Sequence, residues 1–179
     1  MLAVGTVEPR KDFPLLVRAF DRLADNYPDL RLVLCGPDGW GADALTAAVG
    51  AAGHGGRVVR TGWVESTVRQ GLLEGAVLLV SSARDEGFGL TPLEAMAVGV
   101  PVVATAAGAV PEVCADAAVL VAVGDEAALA EAVAALLDDP GRAEALGAAG
   151  RRRAAGFTWE RCADGLHRLY GDAVSDRAS

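Results

Sequence analysis

A short apolar run that leads into a glycine-rich loop and a helix start is the strongest constraint on the fold of this 179-residue chain. Val77-Leu78-Leu79-Val80 has the length of a strand and no polar alternation, which is typical of a strand buried on both faces of a parallel sheet. Thr91-Pro92-Leu93-Glu94 predicts a capping box with proline at the first helical position. Between them, Gly87 and Gly89 let the backbone approach a ligand closely, and the N–H groups of the new helix predict an anion site.

Other apolar segments of strand length alternate with segments of helical character along the chain. These further strands are predicted at residues 1–7, 31–35, 57–62, 102–104 and 118–121, and the helices begin near residues 12, 42, 65, 91, 125, 140 and 160. Such alternation with short connections favours a Rossmann-like, doubly wound parallel sheet of about six strands, an α/β fold. Ligands bind these sheets at the carboxyl ends of the strands. The loops after the first, third and fourth strands all lie on that edge.

The length of the chain and its 52% hydrophobic content suit one domain with a sizeable core, which we assign to residues 1–174. Residues 175–179 are expected to form a disordered tail. The first strand begins at Met1 without the polar lead-in that a natural amino terminus often has. We therefore expect the chain to be cut from a longer protein.

The charge and the cysteines limit the partners and the location of the protein. A formal net charge of −8 gives no global field to attract nucleic acid or an anionic membrane, so any phosphate must be held by a local cluster of cations. No apolar run is long enough to span a bilayer, and no secretory signal is visible. Cys35, Cys114 and Cys162 lack metal or redox spacing, and His54 and His167 lie far apart. The sequence predicts reduced thiols, no metal site and a cytoplasmic protein.

One pair of basic residues stands in the loop after the first predicted strand. Lys11 is the only lysine among sixteen basic residues, and Arg10 precedes it. Taken as an arbitrary basic pair, these residues would most simply lie in a solvated loop and neutralise Glu8 or Asp12. Their position at the ligand edge of the sheet is the alternative interpretation.

Several segments together resemble one enzyme family. They are Glu86-Gly87-Phe88-Gly89 through Glu94-Ala95-Met96-Ala97, then Gly99-Val100-Pro101-Val102-Val103-Ala104, Gly5 through Lys11, and Gly108 through Glu112. This pattern is similar to the nucleotide-sugar site of retaining glycosyltransferases of the GT-B fold, glycosyltransferase family 4, in which two glutamates are separated by seven residues. The resemblance covers most of the chain and implies its carboxyl-terminal, donor-binding domain.

The resemblance also implies roles for individual residues. Glu86 would contact the donor sugar, and Arg10 and Lys11 would stabilise the diphosphate as it leaves. The residues implied in donor binding are Thr6, Trp63, Val64, Gly87, Phe88, Gly89, Leu90, Thr91 and Glu94. Thr6 departs from relatives that carry a second basic residue there, so Arg10 would supply that guanidinium. The implied substrate is a nucleoside diphosphate sugar, and no cofactor or metal is expected.

Structural alternatives exist for several of these residues. Glu94 could close the capping box without touching a ligand, and Trp63 could cover the edge of the core instead of contacting the base. For Glu112 we favour a backbone cap over a substrate contact. We expect Arg151-Arg152-Arg153 to be a solvated helix end, with an acidic partner or a membrane as the lesser option. Glu86 has no structural alternative of similar quality.

Two other functions remain open at this point. The chain could be a nucleotide-sugar binding module without catalysis, or the domain of a GT-B phosphorylase or epimerase, because fold alone does not fix the chemistry. The GT-B active site lies between two such domains, and the amino-terminal acceptor domain is missing from this sequence. We therefore expect this chain to be inactive alone, with peripheral membrane attachment through the missing domain left open.

Overall fold

Six parallel strands form the centre of the protein, for which a computed structural model describes residues 1–176. The strands are β1 (Leu2–Val4), β2 (Leu32–Cys35), β3 (Val58–Gly62), β4 (Leu79–Ser81), β5 (Val102–Thr105) and β6 (Val119–Val121). Their order in the sheet is β3-β2-β1-β4-β5-β6. The doubly wound parallel sheet predicted from the sequence is confirmed. The direction of winding changes between β1 and β4, which is where ligands bind such sheets.

The described part of the chain contains eight α-helices. They are α1 (Phe13–Ala24), α2 (Ala42–Ala51), α3 (Ser66–Glu74), α4 (Leu90–Val98), α5 (Val110–Cys114), α6 (Glu126–Leu137), α7 (Pro140–Ala154) and α8 (Trp159–Asp176). Helix α1 packs against α2 and α6, whereas α4 packs against α3, α5 and α7. None of these helices combines the length and the apolar character needed to cross a membrane.

Two hydrophobic clusters, one on each face of the sheet, explain the unbroken apolar runs. Leu78 and Val80 belong to the cluster under α1 and α6, and Leu79 between them belongs to the cluster under α4. Because neighbouring side chains of a strand point to opposite faces, a strand covered on both sides needs an apolar residue at every position. Val77, in contrast, is exposed and lies before β4 begins.

Local capping signals predict some helix starts correctly. The Asp12 side chain accepts a hydrogen bond from the Leu15 N–H at the start of α1, and the Asp125 side chain accepts one from the Ala128 N–H at the start of α6. Helix starts were expected near both positions, and aspartate is a preferred N-cap residue.

The predicted capping box at Thr91 and Glu94 is wrong. Helix α4 begins at Leu90, its N-cap is Gly89 with φ of 94°, and no side chain caps it. Since only glycine adopts that backbone angle without strain, Gly89 sets the start of the helix. Thr91 therefore lies inside the first turn.

The arginine run 151–153 is not simply a solvated helix end. Arg151 donates to the Val98 carbonyl at the end of α4, at 3.3 Å. Arg153 donates to the carbonyls of Glu112 and Val113 in α5 and lies over the Phe157 ring. The last carbonyls of a helix lack intrahelical partners and carry partial negative charge, so these arginines join α7 to two neighbouring helices. Only Arg152 fits the predicted solvated role.

The last helix, α8, extends further than predicted. It runs to Asp176, into the tail expected at 175–179, and residues 177–179 lie outside the described part of the chain. Trp159 and Tyr170 are exposed on it, at 85% and 67% of their surface.

Candidate functional site

Two loops at the carboxyl edge of the sheet lie side by side where β1 and β4 are neighbours. The loop after β1 carries Arg10 and Lys11, and the loop after β4 runs from Ser82 to Gly89. The Ser82 hydroxyl donates to the Lys11 carbonyl at 2.8 Å, and the Arg84 N–H donates to the Arg10 carbonyl at 2.7 Å. These bonds fix the basic loop against the glycine-rich loop.

A cluster of charged side chains joins the same two loops. The Nζ atom of Lys11 lies 2.5 Å from Oε2 of Glu86, and the Arg10 guanidinium lies 3.6 Å from the same oxygen. The Lys11 and Glu86 side chains are only 12% and 14% exposed, whereas Arg10 is 47% exposed and also pairs with Glu8 at 2.9 Å. Glu86 thus has a structural role that the sequence did not indicate, because it neutralises the lysine.

A third loop, after β5, holds the backbone of Glu86. The Ala109 N–H donates to the Glu86 carbonyl at 3.0 Å. Gly108 has φ of 52°, and a Cβ atom at this position would overlap that same carbonyl oxygen. Glycine is therefore required here for two reasons, conformation and space. The Glu112 side chain, expected to cap backbone, does not cap α5, whose N-cap is Ala109.

The glycine-rich loop leads into the amino terminus of α4. The first backbone bond of this helix runs from the Leu93 N–H to the Gly89 carbonyl, so the Leu90 and Thr91 amides precede the helical ladder. Nothing lies close to the space that a Cβ of Gly87 would occupy. Phe88 is half-exposed and meets Phe157 edge to face, with 6.1 Å between ring centroids. Free amides and an open loop together form a surface that suits an anion.

A cleft of about 340 Å³ lies along the carboxyl ends of β1, β2 and β3 and reaches the first turn of α4 at Thr91. Its lining includes four of the predicted donor-binding residues, namely Thr6, Trp63, Val64 and Thr91, and also Arg69 of α3. Trp63 is 68% exposed, so it does not cover the edge of the core, and that alternative is wrong. A contact between Trp63 and a nucleotide base stays a prediction.

Glu94 of α4 pairs with Arg69 of α3 at the wall of this cleft. The two side chains are 42% and 32% exposed. The glutamate therefore reaches a residue of the cleft lining and not its own helix start, which removes the capping explanation for it. A half-exposed carboxylate beside a cleft can accept hydrogen bonds from hydroxyl groups.

Arg69 and Gly108 are the site residues that sequence reasoning missed. Arg69 is the only basic residue of α3, which follows a loop at the ligand edge, and that position was an available signal. Gly108 was named only as part of a family segment. Its contact with Glu86 joins residues of two different loops, and no local pattern reports such a contact.

No group of three His, Cys, Asp or Glu side chains in residues 1–176 has the arrangement of a metal site. The three cysteines are free thiols, and Cys35 and Cys114 are buried. Burial raises the pKa of Cys114 to about 11, so this thiol is protonated at neutral pH and does not act as a nucleophile.

Comparison with known proteins finds similarity in both sequence and fold. Residues 1–153 match the family described as "Glycosyl transferases group 1". The D-inositol 3-phosphate glycosyltransferase of Salinispora arenicola is 35% identical over 182 residues, a match that covers 96% of this chain and 41% of that protein. The chain thus spans about two fifths of the length of that relative.

Two solved structures share the fold. The carboxyl-terminal domain of a group 1 glycosyl transferase from Francisella tularensis superposes with a TM-score of 0.78, at 24% identity, over 87% of this chain and 84% of that one. Anabaena HepE, solved in complex with UDP, gives a TM-score of 0.85 at 20% identity over 96% of this chain and 48% of that one. The match to the family over most of the chain confirms the resemblance seen in the sequence, and this chain belongs to the group 1 glycosyl transferases, with the fold of the carboxyl-terminal half of a GT-B enzyme.

Proposed function

We propose that this chain is the donor-binding domain of a retaining glycosyltransferase and that it holds a nucleoside diphosphate sugar at the carboxyl edge of the sheet. The observation that carries the proposal is the Lys11–Glu86 pair beside the amino terminus of α4, where β1 and β4 meet. A cation and an anion side by side suit a ligand that presents both phosphate and sugar hydroxyl groups.

The diphosphate is assigned to the basic loop and the helix start. Arg10, Lys11 and the backbone amides from Gly87 to Thr91 can donate hydrogen bonds to its oxygens. When the bond between sugar and phosphate breaks, negative charge grows on the leaving diphosphate. Fixed cations and amides stabilise that charge without having to reorganise, which lowers the barrier. When the donor binds, before the reaction, Lys11 exchanges part of its contact with Glu86 for a contact with the phosphate.

The sugar and the nucleoside are assigned to the two glutamates and to the cleft. Glu86 accepts hydrogen bonds from the donor sugar, because its carboxylate lies next to the phosphate cations. Glu94 accepts hydrogen bonds from the ribose, and Trp63 and Val64 contact the base. Uridine is the first base to test, since HepE, which shares the fold, was solved with UDP.

Calorimetric titration of the chain with UDP, GDP and the corresponding monophosphates tests the proposal. We expect a diphosphate to bind more tightly than its monophosphate, because the amides and both cations converge on the second phosphate. The affinity should be the same with and without a metal chelator, since the cations and the helix start already supply the positive potential. Equal affinity for mono- and diphosphates, or a strict requirement for magnesium or manganese, would contradict the proposal.

The chain by itself is expected to bind the donor without transferring sugar. It spans 41% of the length of the Salinispora relative, and the acceptor side of a GT-B cleft comes from the other domain. Incubation of the chain with a bound UDP-sugar should release no free sugar beyond the rate seen in buffer. Turnover by the isolated chain would show that the second domain is not needed.

A further inference from the structure

The ion pair between Arg69 and Glu94 lies in the wall of the nucleotide cleft, and its function is not explained by the roles assigned so far. We propose that Arg69 is a positioning residue that holds the Glu94 carboxylate for the ribose, so that the pair selects nucleotides with an intact 2′-hydroxyl. The inference rests on the proposed function, because it assigns the ribose to Glu94. It adds a residue and a selectivity that this function does not require.

The pair lies at the cleft to which the nucleoside is assigned. Arg69 lines this cleft together with Trp63, the predicted base contact, and Thr91 in the first turn of α4. It donates through one terminal nitrogen to Oε2 of Glu94. In the described residues 1–176, neither side chain forms another hydrogen bond, so the carboxylate has an oxygen left to accept from a ligand.

Flexibility explains why Glu94 needs such a partner. A glutamate side chain has three rotatable bonds, and at 42% exposure an unpaired carboxylate would be drawn out into water. The guanidinium comes from a different helix and holds one oxygen of the carboxylate in place. The Glu94 side chain has therefore already lost its conformational freedom before the ligand binds. Ordering this side chain then costs no binding free energy.

Charge gives the pair a second effect on binding. Glu94 lies in the helix whose amino terminus is assigned to the diphosphate, and two negative groups in one cleft repel each other. The Arg69 charge offsets that of Glu94 and reduces the repulsion. Loss of Arg69 should thus weaken the binding of any nucleoside diphosphate slightly and the binding of a ribonucleoside diphosphate more.

A purely structural role makes a different prediction. If the pair only joins α3 to α4, removal of Arg69 should lower the melting temperature and leave the preference for ribose over deoxyribose unchanged. The ratio of the dissociation constants of 2′-deoxy-UDP and UDP separates the two explanations, because stability affects both ligands equally.

The experiment measures both ligands, by calorimetry, on the wild-type chain and on Arg69→Met, Arg69→Lys, Glu94→Gln and the double variant Arg69→Met with Glu94→Gln. Arg18→Met serves as the matched control, since Arg18 also pairs with a glutamate, Glu126, but does not line the cleft.

For the wild type and the control we expect 2′-deoxy-UDP to bind about tenfold more weakly than UDP. Arg69→Met and Glu94→Gln should each reduce this ratio of dissociation constants to about two or less. The double variant should reduce the ratio no further than Glu94→Gln alone does. Arg69→Lys should restore part of the ratio, because an ammonium keeps the charge without the planar contact.

Two outcomes would overturn the inference while the proposed function stands. In one, the wild type prefers UDP and Arg69→Met keeps that preference. In the other, Arg69→Met and Glu94→Gln have additive effects, so that Arg69 does not act through the glutamate. If the wild type binds neither UDP nor GDP, the proposed function itself fails.

Discussion

The two ends of the proposed donor site are built in different ways. At the diphosphate end, defined by Lys11, Glu86 and the loops that carry them, the charged side chains are largely buried, and backbone hydrogen bonds from the loops after β1, β4 and β5 fix their positions. At the nucleoside end, defined by Trp63, Arg69 and Glu94, an exposed indole stands beside one partly exposed ion pair.

This difference suits the chemistry proposed for each end. Charge develops on the diphosphate during the reaction, and groups that stabilise a developing charge act best when they are fixed beforehand. The base and the ribose do not react, so their contacts contribute only to binding. Substitutions at the diphosphate end should therefore affect folding or affinity strongly, and those at the nucleoside end should have smaller effects on affinity alone.

The largest effect is expected from Gly108→Ala. The new methyl group would overlap the Glu86 carbonyl, and the alanine backbone would have to adopt φ of 52°. We therefore expect the free energy of unfolding to fall by about 3 kcal/mol. Chemical denaturation measures this. Gly87→Ala is the matched control, because nothing lies within 4 Å of its Cβ position, and it should change stability by about 1 kcal/mol or less. Similar losses in the two variants would show that the loop after β5 does not fix Glu86.

Lys11→Ala should have the next largest effect, on affinity. It removes a charge-assisted bond to the diphosphate of roughly 1.5–3 kcal/mol, so UDP should bind about tenfold more weakly or worse. It also leaves the poorly exposed Glu86 with only the more distant Arg10, which adds repulsion. Calorimetry with UDP and UMP measures the effect, and the loss should be larger for UDP. If the variant binds UDP as tightly as the wild type does, Lys11 does not contact the diphosphate.

Glu86→Gln should separate the sugar from the diphosphate. Free UDP should bind at least as tightly as to the wild type, because Lys11 is released from its partner. A UDP-sugar that the wild type binds should lose a charge-assisted bond and bind roughly tenfold more weakly. In a longer enzyme that contains this domain, transfer should be abolished. If the affinity for the sugar nucleotide and the transfer rate are both unchanged, Glu86 does not contact the donor sugar and the loop serves the phosphates only.

Trp63→Ala should have the smallest effect and tests the nucleoside end. At 68% exposure the indole contributes little to folding, so the melting temperature should stay the same. Loss of contact with the base should weaken UDP binding by about 1 kcal/mol, or roughly fivefold. Trp40→Ala is the control, because Trp40 is 77% exposed and does not line the cleft. Equal affinities of the two variants would exclude Trp63 as a base contact.

The amino-acid sequence by itself determined the architecture. Apolar runs such as Val77 to Val80, alternating with helical segments, predicted the parallel sheet and the edge at which its loops gather. Asp12 and Asp125 predicted two helix starts correctly, because a cap and the amides it bonds lie within three residues of each other. Patterns of this kind are local, so they can be recognised in the sequence without knowledge of the fold.

The tertiary structure decided which side chains meet. Lys11 and Glu86 are 75 residues apart, and Arg69 and Glu94 are 25 apart, and both pairs form only because the sheet brings the loops and helices together. The start of α4 also differs from the predicted one, because the backbone geometry of Gly89 outweighed the capping signal at Thr91. The sequence shows which charges a chain carries and how the local backbone prefers to fold. Whether a glutamate caps its own helix or pairs with an arginine of another depends on the distances that packing creates.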